Sequence, residues 1–393
     1  MPRSILTLNA GSSSLKFALF DQAGLACIAR GAVDGLGTDP RLTIRDGQGV
    51  KRVDEALAGA RHVADQAAAL GTILAALRTL APGTGIAAVG HRVVHGGAHF
   101  EGPAVVDAAV MTRIRDLVAL APLHQPHNIA GIEAATAAFP QAGQVACFDT
   151  AFHRGHAFVH DAYALPRALY DEGIRRYGFH GLSYEYIAGR LAEIAPDIAR
   201  GRVVVCHLGS GASMCALSTG RSVASSMGFT ALDGLPMGTR PGSVDPGVLL
   251  HLLLAKGMEA SALSRLLYHE SGLKGLSGIS NDMRALETST DPPAAEAINY
   301  FVARIVEGIG AMAAMLDGLD AIVFTAGIGE NSPMVRERVL ARLSWLGVEL
   351  DRARNAASET ILTSDGSQVR GLVVPTDEEL MIARHTAAAM AGP

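Results

Sequence analysis

One design occurs twice in this chain, and the duplication limits the folds open to it. Ile5 to Asp21 reads ILTLNAGSSSLKFALFD: a short apolar run, Ile5 to Leu8, enters Asn9-Ala10-Gly11-Ser12-Ser13-Ser14, after which Leu15, Phe17 and Leu19 alternate with Lys16, Ala18 and Phe20. Period two on the far side predicts a second strand. The segment is then a hairpin whose turn offers a glycine, three hydroxyls and backbone N–H groups, an arrangement able to cradle an anion. It is not a P-loop, because the paired glycines and terminal Lys-Ser/Thr are absent and a strand follows where a helix N-terminus is needed. Residues 203–220, VVVCHLGSGASMCALSTG, repeat the plan: Gly11, Ser12, Ala18 and Leu19 recur as Gly209, Ser210, Ala216 and Leu217. An offset of half the chain implies two similar domains, each presenting one turn to a shared anionic ligand.

The chain of 393 residues has room for two or three domains and a large core, and 49% hydrophobic against 18% charged residues describes a well-buried protein. A net charge of −5 with no basic tract argues against a nucleic-acid partner. Cys27, Cys147, Cys206 and Cys215 have no paired metal spacing and read as reduced thiols of a cytoplasmic protein. Ile5 to Leu8 is too short for a signal sequence. The longest apolar stretch is broken by Arg304, Glu307 and Asp317, so no membrane span is expected.

Along the chain, residues 31–50 read as short strands and turns. Val63, Ala67, Leu70, Leu74 and Leu77 predict an amphipathic helix ending before Pro82-Gly83. Ile86 to Val94 predicts a strand carrying His91 and Arg92, Asp107 a helix cap, Pro126 a further short helix, and Gln144 to Phe148 a strand ending at Asp149. Asn9, Arg92 and Asp149 thus fall at strand ends, where ligands of α/β sheets gather. Ser183 is expected to cap a helix, residues 228–247 to form a glycine-rich functional loop, and Val248 to Leu254 a largely buried helix. Ser280-Asn281-Asp282 begins another helix, residues 296–316 form a long one, and Ala321 to Phe324 is a strand entering a Gly-x-Gly-Glu-Asn turn. That turn suits either a nucleotide's sugar and phosphate edge or a plain tight turn. A strand at Leu372 to Pro375 leads through Asp377-Glu378-Glu379 to a last helix.

With these pieces placed, the chain resembles the acetate kinases, within the acetate and sugar kinase, heat-shock 70 and actin superfamily. The carriers are Asn9 to Lys16, Gly90-His-Arg-Val-Val-His95, Phe179-His-Gly181, Ser226 to Thr230, Met237-Gly-Thr-Arg240, Phe324 to Asn331 and Thr376-Asp-Glu-Glu-Leu380, in order across essentially the whole length. The resemblance implies an α/β fold of two ribonuclease H-like (actin-like ATPase) domains with a nucleotide cleft between them. These would be residues 1–148 completed by 378–393, on the acyl-substrate side, and 149–377, binding nucleotide. It implies phosphoryl transfer between ATP and acetate or another short-chain carboxylate, giving ADP and an acyl phosphate, by a homodimer using Mg2+, with Mn2+ as a substitute; the alternatives are a kinase that prefers propionate or butyrate and, from another class, a nucleotide-gated binding protein of the chaperone or actin kind.

Carried over residue by residue, Asp149, His180 and Arg240 match the catalytic residues, and Asn9 and Glu378 those that position the metal. Arg92 would hold the carboxylate, with Val94, Leu123, Phe179 and Ala231 around the acyl methyl. Ser12, Lys16, the run His207-Leu208-Gly209-Ser210-Gly211, Asp282-Met283-Arg284 and Gly327-Ile328-Gly329-Glu330-Asn331 match the nucleotide-binding segments. Each polar residue also has a plainer reading: a surface cation for Arg92, a turn residue for Asp149, a loop ion pair for Arg240, a first-turn helix acid for Glu378.

A carboxylate is already ionised at neutral pH, so the nucleophile needs no strong base and Asp149 is expected to orient rather than deprotonate. The difficult step is joining two anions and stabilising charge on the equatorial oxygens of an in-line transition state. Two arginines suit this work, Arg92 on the acceptor and Arg240 as an arginine finger in cis. His180 is expected to donate a hydrogen bond to the moving group. Three positions depart from the family pattern: Ser210 and Asp377 replace Asn, and Ala231 replaces a Pro, leaving room for one more methylene. HRVVH lacks the zinc-protease glutamate, so the histidines are read as structural or pocket residues.

Overall fold

The computed structural model describes residues 3–57 and 63–392; Pro393, the last residue of the expected closing segment, lies outside them. The chain forms two compact units, Met1–Phe152 with Asp377–Pro393, and His153–Thr376. The division falls slightly later than at Phe148, so Asp149 and Asp377 both belong to the first unit.

In the first unit β1 (Arg3–Ala10) and β2 (Ser14–Asp21) make the expected hairpin, with Gly11 N donating to Ser14 O at 2.9 Å across the turn. The Gly- and Asp-punctuated stretch becomes β3 (Cys27–Asp34), β4 (Arg41–Asp46) and β5 (Lys51–Ala56). Helix α1 (Gln66–Leu80) starts on the Asp65 carboxylate, which accepts from Ala68 N at 2.9 Å, and stops just before Pro82-Gly83. Then come β6 (Gly85–Val93), β7 (Ala104–Val105), α2 (Ala108–Asp116) on its Asp107 cap, α3 (Gln125–Ala138) and β8 (Gly143–Phe148). Proline in its first turn opens α3, which runs 14 residues where a short helix was expected.

The eight strands order as β5-β4-β3-β2-β1-β6-β8-β7, with β1, β6 and β8 parallel. Leu6, Leu8, Phe17, Ile44, Ile73 and Val89 fill the core beneath α1. The closing helix, Glu378–Ala391, begins on the Asp377 side chain and lies against β1, β6 and β8. Gly90 permits that approach: a Cβ there would stand 2.2 Å from Thr386 Oγ1 and 2.6 Å from Ile382 Cγ2.

The second unit repeats the plan. Strands β9 (Arg202–Leu208) and β10 (Ala212–Ser218) form the second hairpin, followed by β11 (Arg221–Ser225), β12 (Ala321–Thr325) and β13 (Arg370–Val373). Their order, β11-β10-β9-β12-β13, with β9, β12 and β13 parallel, reproduces β3-β2-β1-β6-β8 strand for strand. The helix Pro292–Met315 has the length and apolarity of a membrane span but packs on β9 and β10, burying Ile298, Phe301, Val302, Ile305 and Ile309.

Three local expectations are corrected. Residues 246–255 are helical, but Val248, Leu250 and Leu254 are exposed by 48%, 55% and 81%. Apolar composition alone does not reveal which side of such a helix the rest of the unit covers. Ser183 does not cap its helix, which starts at Gly181 on a left-handed His180; the Ser183 hydroxyl bonds to His207 instead. The Gly-x-Gly-Glu-Asn turn is itself helical, Ala326–Asn331.

Candidate active site

Three parallel strands of the first unit end together, so Asn9 on β1, Arg92 on β6 and Asp149 just past β8 come to one edge. Arg92 Nε donates to Asp149 Oδ1 at 3.0 Å and Nη2 to Asp149 Oδ2 at 2.6 Å, while Nη1 reaches Asn9 Oδ1 at 3.3 Å. Glu378 Oε2, in the first turn of the closing helix, is 4.0 Å from Arg92 Nε. Burial works against the Arg92 charge, but Asp149, Glu378 and Glu379 outweigh it and hold its pKa above the ordinary value. Burial pushes the Glu378 carboxyl up to about 7, Arg92 pulls it down, and Asp149 and Glu379 push it up again. Lys16 is the cross-strand partner of Asn9, and Ser12 lies exposed in the turn between them.

Asn128 supports this edge. Its Nδ2 donates to Ala10 O at 2.8 Å and its Oδ1 accepts from Val94 N at 3.0 Å, tying the end of β1 to the end of β6. Gln66 Nε2 donates to Gly11 O at 2.6 Å and holds the turn from α1. Neither amide stood out in the sequence, where a buried Asn or Gln inside a helical stretch reads as an ordinary polar residue. Of the acyl-pocket residues, Val94 and Leu123 belong to the first unit, with Leu123 exposed by 38%, and Phe179 and Ala231 to the second, with Phe179 buried.

The second unit gathers His180, His207 and Arg240 around its hairpin. The His180 and His207 rings stack at 4.2 Å, and His180 Nδ1 lies 2.8 Å from Ser213 Oγ on β10. A Cβ on Gly211 would meet Arg240 Nη2 at 3.0 Å and His180 Nε2 at 3.3 Å, so both side chains converge on that turn. Arg240 Nη1 donates to Ala231 O at 2.7 Å, joining the loop's cation to the residue expected beside the acyl methyl. Tyr184, one helical turn after His180, also bonds to Ser213 and was missed; its spacing from His180 was the available signal.

A cavity of ≈ 630 Å³ is lined by Gly209, Ser210, Asp282, Met283, Arg284, Gly327, Ile328 and Asn331, which brings most of the expected nucleotide segments to one place. Asp282 caps the following helix and pairs with Arg284 at 2.6 Å. Glu330 turns inward, its Oε1 accepting from Ala326 N at 2.8 Å and Thr376 N at 3.1 Å. Arg336, fully buried, donates to Gly329 O at 3.0 Å and Glu330 O at 2.8 Å and fixes the loop from below.

The acetokinase family model matches residues 4–384. The chain is 56% identical to an acetate kinase of Methylocella silvestris over 99% of its own length and 98% of that protein, and 54% identical to one of Rhizobium meliloti over 99% of both. Among solved structures it is similar to a propionate kinase from Francisella tularensis (TM-score 0.91, 35% identity, covering 98% of this chain and 99% of that one). It is also similar to the acetate kinase of Porphyromonas gingivalis (TM-score 0.88, 36% identity, covering 99% of this chain and 100% of that one). A match of this extent, at these identities and with this repeated actin-like ATPase plan, makes the chain a member of the acetokinase family.

Proposed function

We propose that this protein transfers the terminal phosphoryl group of ATP to acetate, giving acetyl phosphate and ADP, and catalyses the reverse reaction. The observation that carries this reading is the Arg92 cluster: a guanidinium with its fork fixed by Asp149 at a sheet edge, a fifth of its side chain still exposed. Such a group suits recognition of a small carboxylate. A nucleotide-gated binding protein has no use for it.

In the forward direction an acetate oxygen attacks the terminal phosphorus and the bond to the bridging oxygen breaks, its electron pair leaving with ADP. No proton need move. Arg92 orients the acceptor, and Asp149 holds Arg92 rather than acting as a base. Arg240 and His180 Nε2 bear on the transferring group, the first as a fixed charge and the second as a hydrogen-bond donor. The loops at Gly209–Gly211 and Gly327–Asn331 hold the nucleotide.

Asn9 and Glu378 are the residues that would hold Mg2+. Both offer hard oxygen donors, and a divalent cation would favour the ionised Glu378 carboxylate that burial, Asp149 and Glu379 otherwise disfavour. Magnesium keeps several waters, so one amide and one carboxylate suit it as direct or water-mediated contacts. When bound, the ion screens the phosphate charge. The exposed Leu250 and Leu254, one helical turn apart, support a homodimer with this face covered by a second copy, and the chain, whose four cysteines are all unpaired thiols, is read as cytoplasmic.

The test is hydroxylamine trapping of acyl phosphate from the purified protein with Mg-ATP and acetate. Hydroxamate that depends on ATP and falls away in Arg92→Ala supports the reading; ATP turnover with no hydroxamate from acetate, propionate or butyrate overturns it.

A further inference from the structure

His180 stands in an unfavourable backbone conformation, φ 57° and ψ 24°, at the head of the Gly181–Ile194 helix. For a residue with a side chain this conformation is disfavoured and persists only when neighbours impose it. His153 is the neighbour. Its Nε2 is 3.0 Å from Phe179 O, the carbonyl of the peptide that enters His180. Gly178, at φ 73°, lets the chain pass so closely that a Cβ there would lie 2.6 Å from His153 Cδ2. The His153 ring also packs edge-on against Tyr184 at 5.7 Å, and the Tyr184 hydroxyl bonds to the Ser213 hydroxyl that meets His180 Nδ1.

The direction of these bonds follows from their partners. A carbonyl only accepts, so His153 Nε2 carries its proton. Burial, with His156 adding to it, pushes the His153 pKa down to about 3, so the ring is neutral and its Nδ1 accepts. Nδ1 lies 2.8 Å from Ser222 Oγ, which therefore donates to it. That leaves the Ser222 oxygen to accept from His156 Nε2 at 2.7 Å. The chain of donors runs one way: His156, Ser222, His153, Phe179 carbonyl.

We propose that His153 is a positioning residue for phosphoryl transfer, fixing the Phe179–His180 peptide and thereby the His180 ring, in a single tautomer set by Ser222 and His156. The proposal rests on the carboxylate-kinase reading above. Its test compares His153→Phe, which keeps the ring's bulk and removes both bonds, with His153→Gln, whose amide nitrogen reaches the Phe179 carbonyl. By hydroxamate assay, His153→Phe is expected to lose between about tenfold and a hundredfold in kcat, with KM for acetate and ATP within about twofold. His153→Gln is expected to recover to within about threefold of the parent.

Nitrogen NMR of the histidine-labelled protein reads the same arrangement without turnover. His153 should appear as the neutral Nε2–H tautomer, with His180 resonances displaced in His153→Phe and restored in His153→Gln. Equal losses in both variants, a loss confined to KM, or an Nδ1–H tautomer would overturn the proposal. A parent protein that gives no hydroxamate removes the kinase reading instead, and the His180 resonances then still decide whether His153 positions that ring.

Discussion

Arg92 meets Asp149 through two parallel contacts, Nε to Oδ1 at 3.0 Å and Nη2 to Oδ2 at 2.6 Å, with the carboxylate buried and the guanidinium partly exposed. The pair fixes the plane in which the arginine presents its remaining donors. Asp149→Asn keeps the shape, loses the charge and leaves Arg92 with Glu378 and Glu379 as its nearby anions. The variant should raise KM for acetate and lower kcat together, each by about tenfold, because both ground-state grip and alignment depend on that plane. Asp149→Ala should in addition cost about 1–3 kcal/mol of stability, less than the full penalty for stranding a buried charge because Arg92 is partly exposed and keeps Glu378 and Glu379 near it. Steady-state kinetics and urea unfolding of both variants check this. A kcat loss in Asp149→Asn with KM unchanged would point to a direct role in the transition state.

The duplication behind this sheet was legible from two hairpins, though the strand order was not. Gly11 and Gly209 sit in equivalent turns, and the five-strand repeat behind them follows once the two halves share one plan. The strand-end positions of Asn9, Arg92 and Asp149 were legible for the same reason, since an apolar run of alternating or continuous pattern stops where its polar residue begins. What period and composition do not encode is side-chain destination. Glu330 lies in a motif that reads as facing a nucleotide, yet its carboxylate closes on Ala326 N and Thr376 N. Ser183 looks like a cap and bonds to His207 because the backbone turned three residues earlier, at His180. The exposure of Leu254 depends on which elements lie alongside, and nothing in its own heptad states that.

Ala231 lends a specificity prediction. Its carbonyl anchors Arg240 Nη1 at 2.7 Å, and a proline keeps that carbonyl, so Ala231→Pro should leave the arginine in place while filling the space of about one methylene. One methylene is worth roughly 1–3 kcal/mol in discrimination. The parent protein should therefore turn over propionate within about tenfold of acetate, and Ala231→Pro should lower kcat/KM for propionate relative to acetate by about tenfold or more. Propionate turnover far below acetate in the parent would dismiss the enlarged pocket.

Arg336 supplies a third. Besides the two loop carbonyls, it donates from Nε to Asn355 Oδ1, and from Nη2 to Asn355 O and Ser358 Oγ, each at 2.9 Å. Burial lowers its pKa, and among the described residues no carboxylate pairs with it. Arg336→Met fills the volume and strands at least three buried acceptors, at about 1–3 kcal/mol each before relaxation. The loop Gly327–Asn331 should loosen, so KM for ATP is expected to rise about tenfold while KM for acetate stays within about twofold. Calorimetry should show a lower Tm in the same variant. Equal changes in both KM values would mean the loop does not serve nucleotide binding.

His91 sets an acid limit on the fold. It is buried in β6 with Nε2 2.8 Å from Gln144 Oε1, an acceptor, so Nε2 carries the proton of the neutral ring. Burial lowers its pKa to about 4, and the Gln144 bond offsets only part of that. In the unfolded chain the same group titrates near 6.5. Between these values the unfolded state binds a proton that the native state does not, so stability rises with pH across the window and is lost as pH falls from about 6.5 towards 4. The full shift corresponds to roughly 3 kcal/mol. His153, lowered to about 3, and His156, lowered to about 4, both by burial first, act in the same direction, so the parent protein should weaken steeply below pH 6. His91→Gln removes one of the three titrations, and urea unfolding at pH 8, 6, 5 and 4.5 should give it a shallower slope than the parent, by up to one proton. Parallel slopes in the two proteins would show that His91 takes up its proton in the native state as readily as in the unfolded chain, and burial would then not hold the ring neutral.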